Sequence, residues 1–321
     1  MGTEHHGIGF HTVDLTDPTR IPGSNSTRKA RVMSEWNARD LPSFEGRTVI
    51  VTGANSGLGE VTARELARVG AKVIVAVRDT GKGTAAADRM TGAVEVRQLD
   101  LAALSSVRAF ADGIEQVDVL INNAGIMAVP FAQTADGFES QIGVNHLGHF
   151  ALTNLLLPKL TGRVVTVSSD LHRLGRIDLA DLNWTSRRYS PWRAYGQSKL
   201  ANLLFTSELQ RRLAQANSSL IAVAAHPGYS ATNLQGRTGN PVGDRGSALA
   251  NRLFATPAEF GARQTLYAAS QDLPGDTFIG PRFSIRGPSR PAGRSKAAQD
   301  TKTAAALWDL SEELTGTRFP L

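Results

Sequence analysis

Thr48-Val49-Ile50-Val51-Thr52-Gly53-Ala54-Asn55-Ser56-Gly57-Leu58-Gly59 is the stretch whose reading decides the fold. Thr48 to Val51 is a short β-branched, apolar run without polar alternation, the pattern of a strand covered on both faces. Gly53, Gly57 and Gly59 follow with the spacing Gly-x-x-x-Gly-x-Gly. Leu58, Val61, Leu66 and Val69 then recur at helical spacing up to a stop at Gly70. Val73 to Val77 is a second buried strand. Strand, glycine turn, helix and strand form a crossover unit whose two strands run parallel.

Outward from this unit the pattern repeats. Val94 and Val96 mark a third strand, Leu104 to Ile114 a helix, and Val117 to Ile121 a fourth strand. A long helix is expected over 142–160, a fifth strand over 164–167, another long helix over 195–216 and a sixth strand over 220–224. A helix at 257–270, a seventh strand at 277–279 and a last helix over 299–314 complete the series, with 287–294 read as a surface loop. The alternation predicts an α/β fold: a single Rossmann-type doubly wound parallel sheet of about seven strands with helices on both faces. Residues 44–285 are read as this domain, 1–43 as a largely irregular N-terminal arm, and 286–321 as a C-terminal loop and helix packed on the same domain.

Composition narrows the chemistry. The 321 residues include no cysteine, which excludes disulfides, thiolate metal sites, iron–sulfur clusters and a cysteine nucleophile. No run approaches the roughly 18 apolar residues of a spanning helix, and the first thirty residues are polar, so no membrane anchor and a cytoplasmic location are expected. Lys and Arg total 35 against 29 acids, a net charge of +6. Arg20, Arg28, Lys29 and Arg31, with Arg282, Arg286, Arg290, Arg294 and Lys296, occupy two acid-free stretches that exceed this excess. No aromatic-interleaved basic stripe accompanies them, so nucleic acid is not an expected partner.

In a doubly wound sheet, ligands sit beyond the carboxyl ends of the strands. Gly53 to Gly59 falls there, where a glycine turn and a helix N-terminus suit a pyrophosphate. Arg78 ends the second strand and suits a 2′-phosphate, which favours NADP(H), while Asp79 keeps NAD(H) open. Asn122 to Gly125 ends the fourth strand, its small residues suited to a flat ring, and Ser168-Ser169 places hydroxyls after the fifth. Tyr195 and Lys199, four apart on one helix face, pair a phenol with a cation expected to lower its pKa. His146 and His149 imitate a metal pair, but no third ligand lies near, so packing is the expected role and no metal is assigned. Trp184, Tyr189 and Trp192 either line a substrate mouth or cover the segment that holds them.

Taken together, these motifs resemble the short-chain dehydrogenase/reductase family over about residues 46–285, closest to its retinol dehydrogenase and WW-domain oxidoreductase branch. Arg78 to Gly83, Ser198 to Asn202 and the 26-residue gap from Ser169 to Tyr195 carry the branch resemblance. The resemblance implies a catalytic set of Asn145, Ser169, Tyr195 and Lys199. It implies cofactor contacts at Gly53, Asn55, Ser56, Gly57, Leu58, Gly59, Arg78, Asp100, Leu101, Asn123, Ala124, Gly125, Tyr195, Lys199, Pro227, Gly228 and Thr232. It further implies hydride transfer between NADP(H) and a small, apolar carbonyl/alcohol pair, a variable lid over about 229–256, and a homodimer or homotetramer. The competing readings are an epimerase or dehydratase of the extended type, which the glycine spacing opposes, and a non-catalytic dinucleotide sensor, which the complete catalytic set opposes.

Overall fold

The computed structural model describes residues 1–2, 36–228 and 257–321. Most of the expected arm, the expected lid over 229–256 and Thr232 lie outside these residues.

Among the described residues, eight strands form one sheet in the order β3-β2-β1-β4-β5-β6-β7-β8. They are β1 Thr48–Thr52, β2 Lys72–Val77, β3 Val94–Gln98, β4 Val117–Asn122, β5 Leu160–Val167, β6 Ile221–Ala225, β7 Phe278–Pro281 and β8 Ser289–Pro291. The first seven run parallel, and β8 alone is antiparallel, pairing Ile279 with Pro291. The chain order reverses between β1 and β4, so a crevice opens beyond their carboxyl ends.

The unalternating apolar runs are explained by burial on both faces. Val49 and Val51 pack with Val73, Val75, Leu66 and Leu266 on one side, where α1 (Gly57–Arg68) and α7 (Ala258–Ser270) lie. Ile50 and Ile74 point to the other side, with Leu120, Val164, Phe150, Phe205 and Trp308. That second layer holds α3 (Leu104–Asp112), α5 (Gly148–Leu156), α6 (Pro191–Gln215) and α8 (Thr301–Thr315). A short α2 (Thr80–Ala87), unread in the sequence, connects β2 to β3.

Three differences from the sequence reading matter. The expected helix over 142–160 is broken into α4 (Ser140–Ile142), a π-helical turn (Gly143–Leu147), α5 and a 3₁₀ turn (Leu157–Lys159), because β5 already begins at Leu160. The expected surface loop at 287–294 contains β8, which raises the strand number to eight. Its Pro291 fits an edge strand, where one missing donor is tolerated. Packing also extends N-terminal of residue 44: Leu41 is buried, and the Trp36 ring meets Tyr267 edge-on at 5.1 Å.

Candidate active site

The glycine loop is held against the end of β4. Gly53 and Gly57 have φ of +66° and +58°, the left-handed region that glycine enters without strain. A Cβ on Gly53 would stand 2.9 Å from the Ala124 Cβ, and one on Gly59 only 2.5 Å from Asn123 Nδ2. Asn123 Nδ2 donates to Thr52 O at 2.7 Å. Ser56, the N-cap of α1, makes no side-chain capping bond, so the first N–H groups of α1, from Gly57 to Gly59, stay open for an anion. Leu58 packs inward, whereas Asn55 and Ser56 are half-buried in the loop. This cradle, which side chains would fill, fits a dinucleotide pyrophosphate.

Beyond β2, Arg78 is exposed. Asp79 caps α2 by accepting from Lys82 N at 3.0 Å and pairs with Lys82 Nζ at 3.1 Å. These bonds to Lys82 hold its carboxyl below the usual range. Asp100 accepts from Ala102 N at 2.9 Å, and Leu101 is buried against Gly148. Pro227 and Gly228 follow β6, with Gly228 at φ +70°.

Asn145 sits in the middle of the π-helical turn. Its Nδ2 donates to Ile126 O and Ser198 Oγ, both at 2.9 Å, and its Oδ1 accepts from Ile126 N at 2.8 Å. Ser198 Oγ in turn donates to Tyr195 O at 2.8 Å. A Cβ on Gly125 would lie 3.1 Å from Asn145 Oδ1 and 3.5 Å from Lys199 Nζ, so the end of β4, the π turn and α6 meet at one point.

Hydrogen-bond directions assign the state of His149. Asn123 N and Ala124 N both donate to Thr52 Oγ1 at 2.9 Å, which occupies its lone pairs. The Thr52 hydroxyl proton therefore goes to His149 Nε2, 2.9 Å away, rather than to the more distant Ile121 O at 3.4 Å. His149 Nδ1–H then donates to Asn145 O at 3.2 Å. The ring is neutral, and burial pushes its pKa down to about 3. The other histidine of the pair, His146, points to Ser311 Oγ at 3.0 Å on α8. No cluster of metal ligands occurs among the described residues, and both rings serve packing and hydrogen bonding.

Ser169, Tyr195 and Lys199 come together across the ends of β5 and α6. Ser169 caps a 3₁₀ turn (Asp170–Leu174), accepting from Leu171 N at 3.2 Å. His172 Nδ1–H donates to Ser169 O at 2.7 Å and accepts at Nε2 from Ser295 N at 3.1 Å, which ties the serine backbone to the C-terminal segment. Gly175 crosses α6 so closely that a Cβ there would run into Gly196 O. Lys199 Nζ donates to Val167 O at 3.1 Å and stands 5.7 Å from the Tyr195 ring centroid. Asn202 Nδ2 shares the same carbonyl at 3.1 Å.

The electrostatics differ from the sequence expectation of a depressed phenol. Burial pushes Tyr195 up to about 12, with the Ser169 hydrogen bond pulling the other way. Burial also lowers Lys199 to about 8. The two groups share a dry site, so desolvation opposes the charged form of each.

The segment between Ser169 and Tyr195 is folded on itself. Asp181 accepts from Thr185 N at 2.6 Å and from Ser186 Oγ at 2.9 Å, and Tyr189 Oη donates to Val129 O at 3.0 Å. Trp184 is buried and meets Tyr189 edge-on at 5.7 Å, so these two cover the segment, whereas Trp192 is 43% exposed. Thr52, His172, Ser198 and Asn202 hold the site together without having been given a role in it by the sequence reading, which assigned His149 to packing. His149 carried one usable signal, its place one helical turn beyond Asn145.

Comparison with known proteins now fits this geometry. The short chain dehydrogenase family profile matches residues 47–242, and the chain belongs to that family of oxidoreductases. Within it the chain falls in the retinol dehydrogenase-like branch. Retinol dehydrogenase 13 of Homo sapiens is 44% identical over 302 residues, covering 87% of each chain. Retinol dehydrogenase 14 of Mus musculus is 42% identical over 299 residues, covering 85% of this chain and 87% of its own. A crystal structure of a Mycobacterium paratuberculosis protein shares 68% sequence identity and a TM-score of 0.81, covering 90% of this chain and 100% of that one.

Proposed function

We propose that this protein is an NADP(H)-dependent oxidoreductase that transfers hydride between nicotinamide and a small, apolar carbonyl/alcohol pair, with Tyr195 as general acid/base. The observation that carries this reading is the meeting of Ser169, Tyr195, Lys199 and Asn145 beside the glycine cradle. The names of the relatives support the substrate class. Arg78 supports NADP(H): it is exposed beyond β2, while Asp79 is already engaged with Lys82 and less available to a ribose hydroxyl.

The residues suited to hold the dinucleotide are Gly53 to Gly59 with the α1 N-terminus for the pyrophosphate and Arg78 for the 2′-phosphate. Asp100 and Leu101 serve the adenine side, and Asn123 to Gly125 with Pro227 and Gly228 serve the nicotinamide side. When bound, the nicotinamide supplies or accepts the hydride. In the reducing direction, Ser169 Oγ donates a hydrogen bond to the substrate carbonyl and orients it. Tyr195, held protonated by burial, gives its proton to the developing alkoxide. Lys199 stabilises the tyrosinate that results, and Asn145 braces the backbone of Tyr195 through Ser198.

Tyr195→Phe tests the assignment. NADPH oxidation with a panel of carbonyl compounds is expected to fall by roughly a hundredfold to ten-thousandfold, with NADPH affinity retained. Turnover equal to that of the wild type would overturn it. A neutral result for the whole panel with wild-type protein would favour the dinucleotide sensor.

A further inference from the structure

The segment between Ser169 and Tyr195 lines a cavity to which none of Asn145, Ser169, Tyr195 and Lys199 contributes. Its volume is about 520 Å³, and it is lined by Leu174, Arg176, Trp184, Arg187, Arg188 and Arg193. That size suits a small organic ligand. Four of the six lining residues are arginines, and their charges are not equally compensated. Arg187 lies over the Trp184 indole, 3.8 Å from the ring centroid, and faces Asp181 and Asp178 at 3.4 and 3.7 Å. Arg176, Arg188 and Arg193 are exposed and have no acidic partner among the described residues.

Three uncompensated guanidinium groups around one cavity repel one another, and an anion placed among them removes that cost. Guanidinium forks match carboxylate and phosphate oxygens in pairs, better than they match a halide or a neutral group. The remaining lining is apolar: Leu174 is 59% exposed, and Trp184 contributes the indole under Arg187. A free inorganic anion would leave that surface uncovered. We propose that this cavity binds an amphiphilic organic anion, with a carboxylate or phosphate head among Arg176, Arg188 and Arg193 and an apolar body against Leu174 and Trp184.

The test reads binding alone and so stands apart from the reaction proposed above. The full chain is titrated with decyl phosphate, decanoate, decanol and inorganic phosphate below the micelle threshold, followed by calorimetry and tryptophan fluorescence. Decyl phosphate or decanoate is expected to bind saturably, about tenfold or more tighter than decanol and inorganic phosphate. The tighter of the two identifies the head group. Arg188→Glu/Arg193→Glu is expected to weaken binding by about tenfold or more with the thermal midpoint retained, since both side chains are exposed and Glu at position 193 suits the first turn of α6. Arg188→Gln gives a smaller loss and serves if the double reversal disturbs the segment. Decanol binding as tightly as decyl phosphate overturns the anionic head, and inorganic phosphate doing so overturns the apolar body. Affinity unmoved by either variant overturns the location.

Discussion

His149 shows how one side chain's proton governs a site it need not touch. Thr52 and Asn145 lie on β1 and the π turn, and the neutral ring joins them by one accepted and one donated bond. Protonation would aim a second N–H at a Thr52 oxygen whose lone pairs are already taken. His146 and His226, also buried, are lowered to about 4. Because the folded pKa values lie below the ordinary 6.5, the unfolded chain binds more protons in between, and stability falls as pH drops from about 6.5 toward 4. Each pH unit costs roughly tenfold in the folding constant per histidine. His149→Leu is expected to be less stable at pH 7.5, by about 1–3 kcal/mol for two groups left unpaired, but with a shallower loss toward acid. Urea unfolding midpoints from pH 4.5 to 7.5 check this, and parallel curves for the two proteins would refute it. Lys199 sets the alkaline side. With its pKa lowered to about 8, kcat/KM for carbonyl reduction is expected to fall as pH rises through that value, and a rate flat to pH 10 would exclude an essential ammonium.

Among the elements, the contact of the 3₁₀ turn after Ser169 with the start of α6 fixes the spacing of serine and tyrosine. Gly175 and Gly196 make that contact possible, since either Cβ would meet backbone of the other segment. Gly175→Ala is expected to cost about 1–3 kcal/mol and to lower kcat by separating Ser169 from Tyr195. Gly293→Ala is the matched control, because nothing lies within 4 Å of its added methyl group. Equal melting temperatures and rates for the two variants would show that the crossing has slack. The π turn works in the same way: it carries Asn145, whose carbonyl accepts from His149 and whose side chain reaches Ile126 and Ser198.

At the level of the whole molecule, the C-terminal segment braces the site from behind. Trp308 on α8 is 2% exposed, stacks with Phe205 at 5.7 Å and meets Phe150 at 4.9 Å. Ser311, one turn on, holds His146 in the π turn. Trp308→Ala is expected to cost about 3–5 kcal/mol, read as a lowered thermal midpoint, and also to reduce turnover through the π turn. A stable, fully active variant would separate this helix from the site. The basic stretch over 282–296 also changes meaning here. Arg294 pairs with Asp276 at 2.7 Å and is largely buried, so part of that charge is a latch between the segment after β8 and the turn before β7.

The amino-acid sequence proposed Asn145, Ser169, Tyr195 and Lys199 through the family that its motifs resemble, and by itself it determined the strand–glycine turn–helix unit and the parallel crossovers. Each is written in a short run of residues whose period or spacing is local. Tertiary structure alone decided the π turn, the Thr52–His149–Asn145 chain, the eighth strand and the raised phenol. The Thr52–His149 bond joins residues 97 apart, and no local pattern encodes it. β8 is a polar, proline-containing triplet that becomes a strand only because β7 offers it an edge. The Tyr195 pKa follows the water excluded around it, and Lys199 four residues away could not reveal that. Local period specifies elements, whereas burial and long-range hydrogen bonds specify the protons on which the site depends.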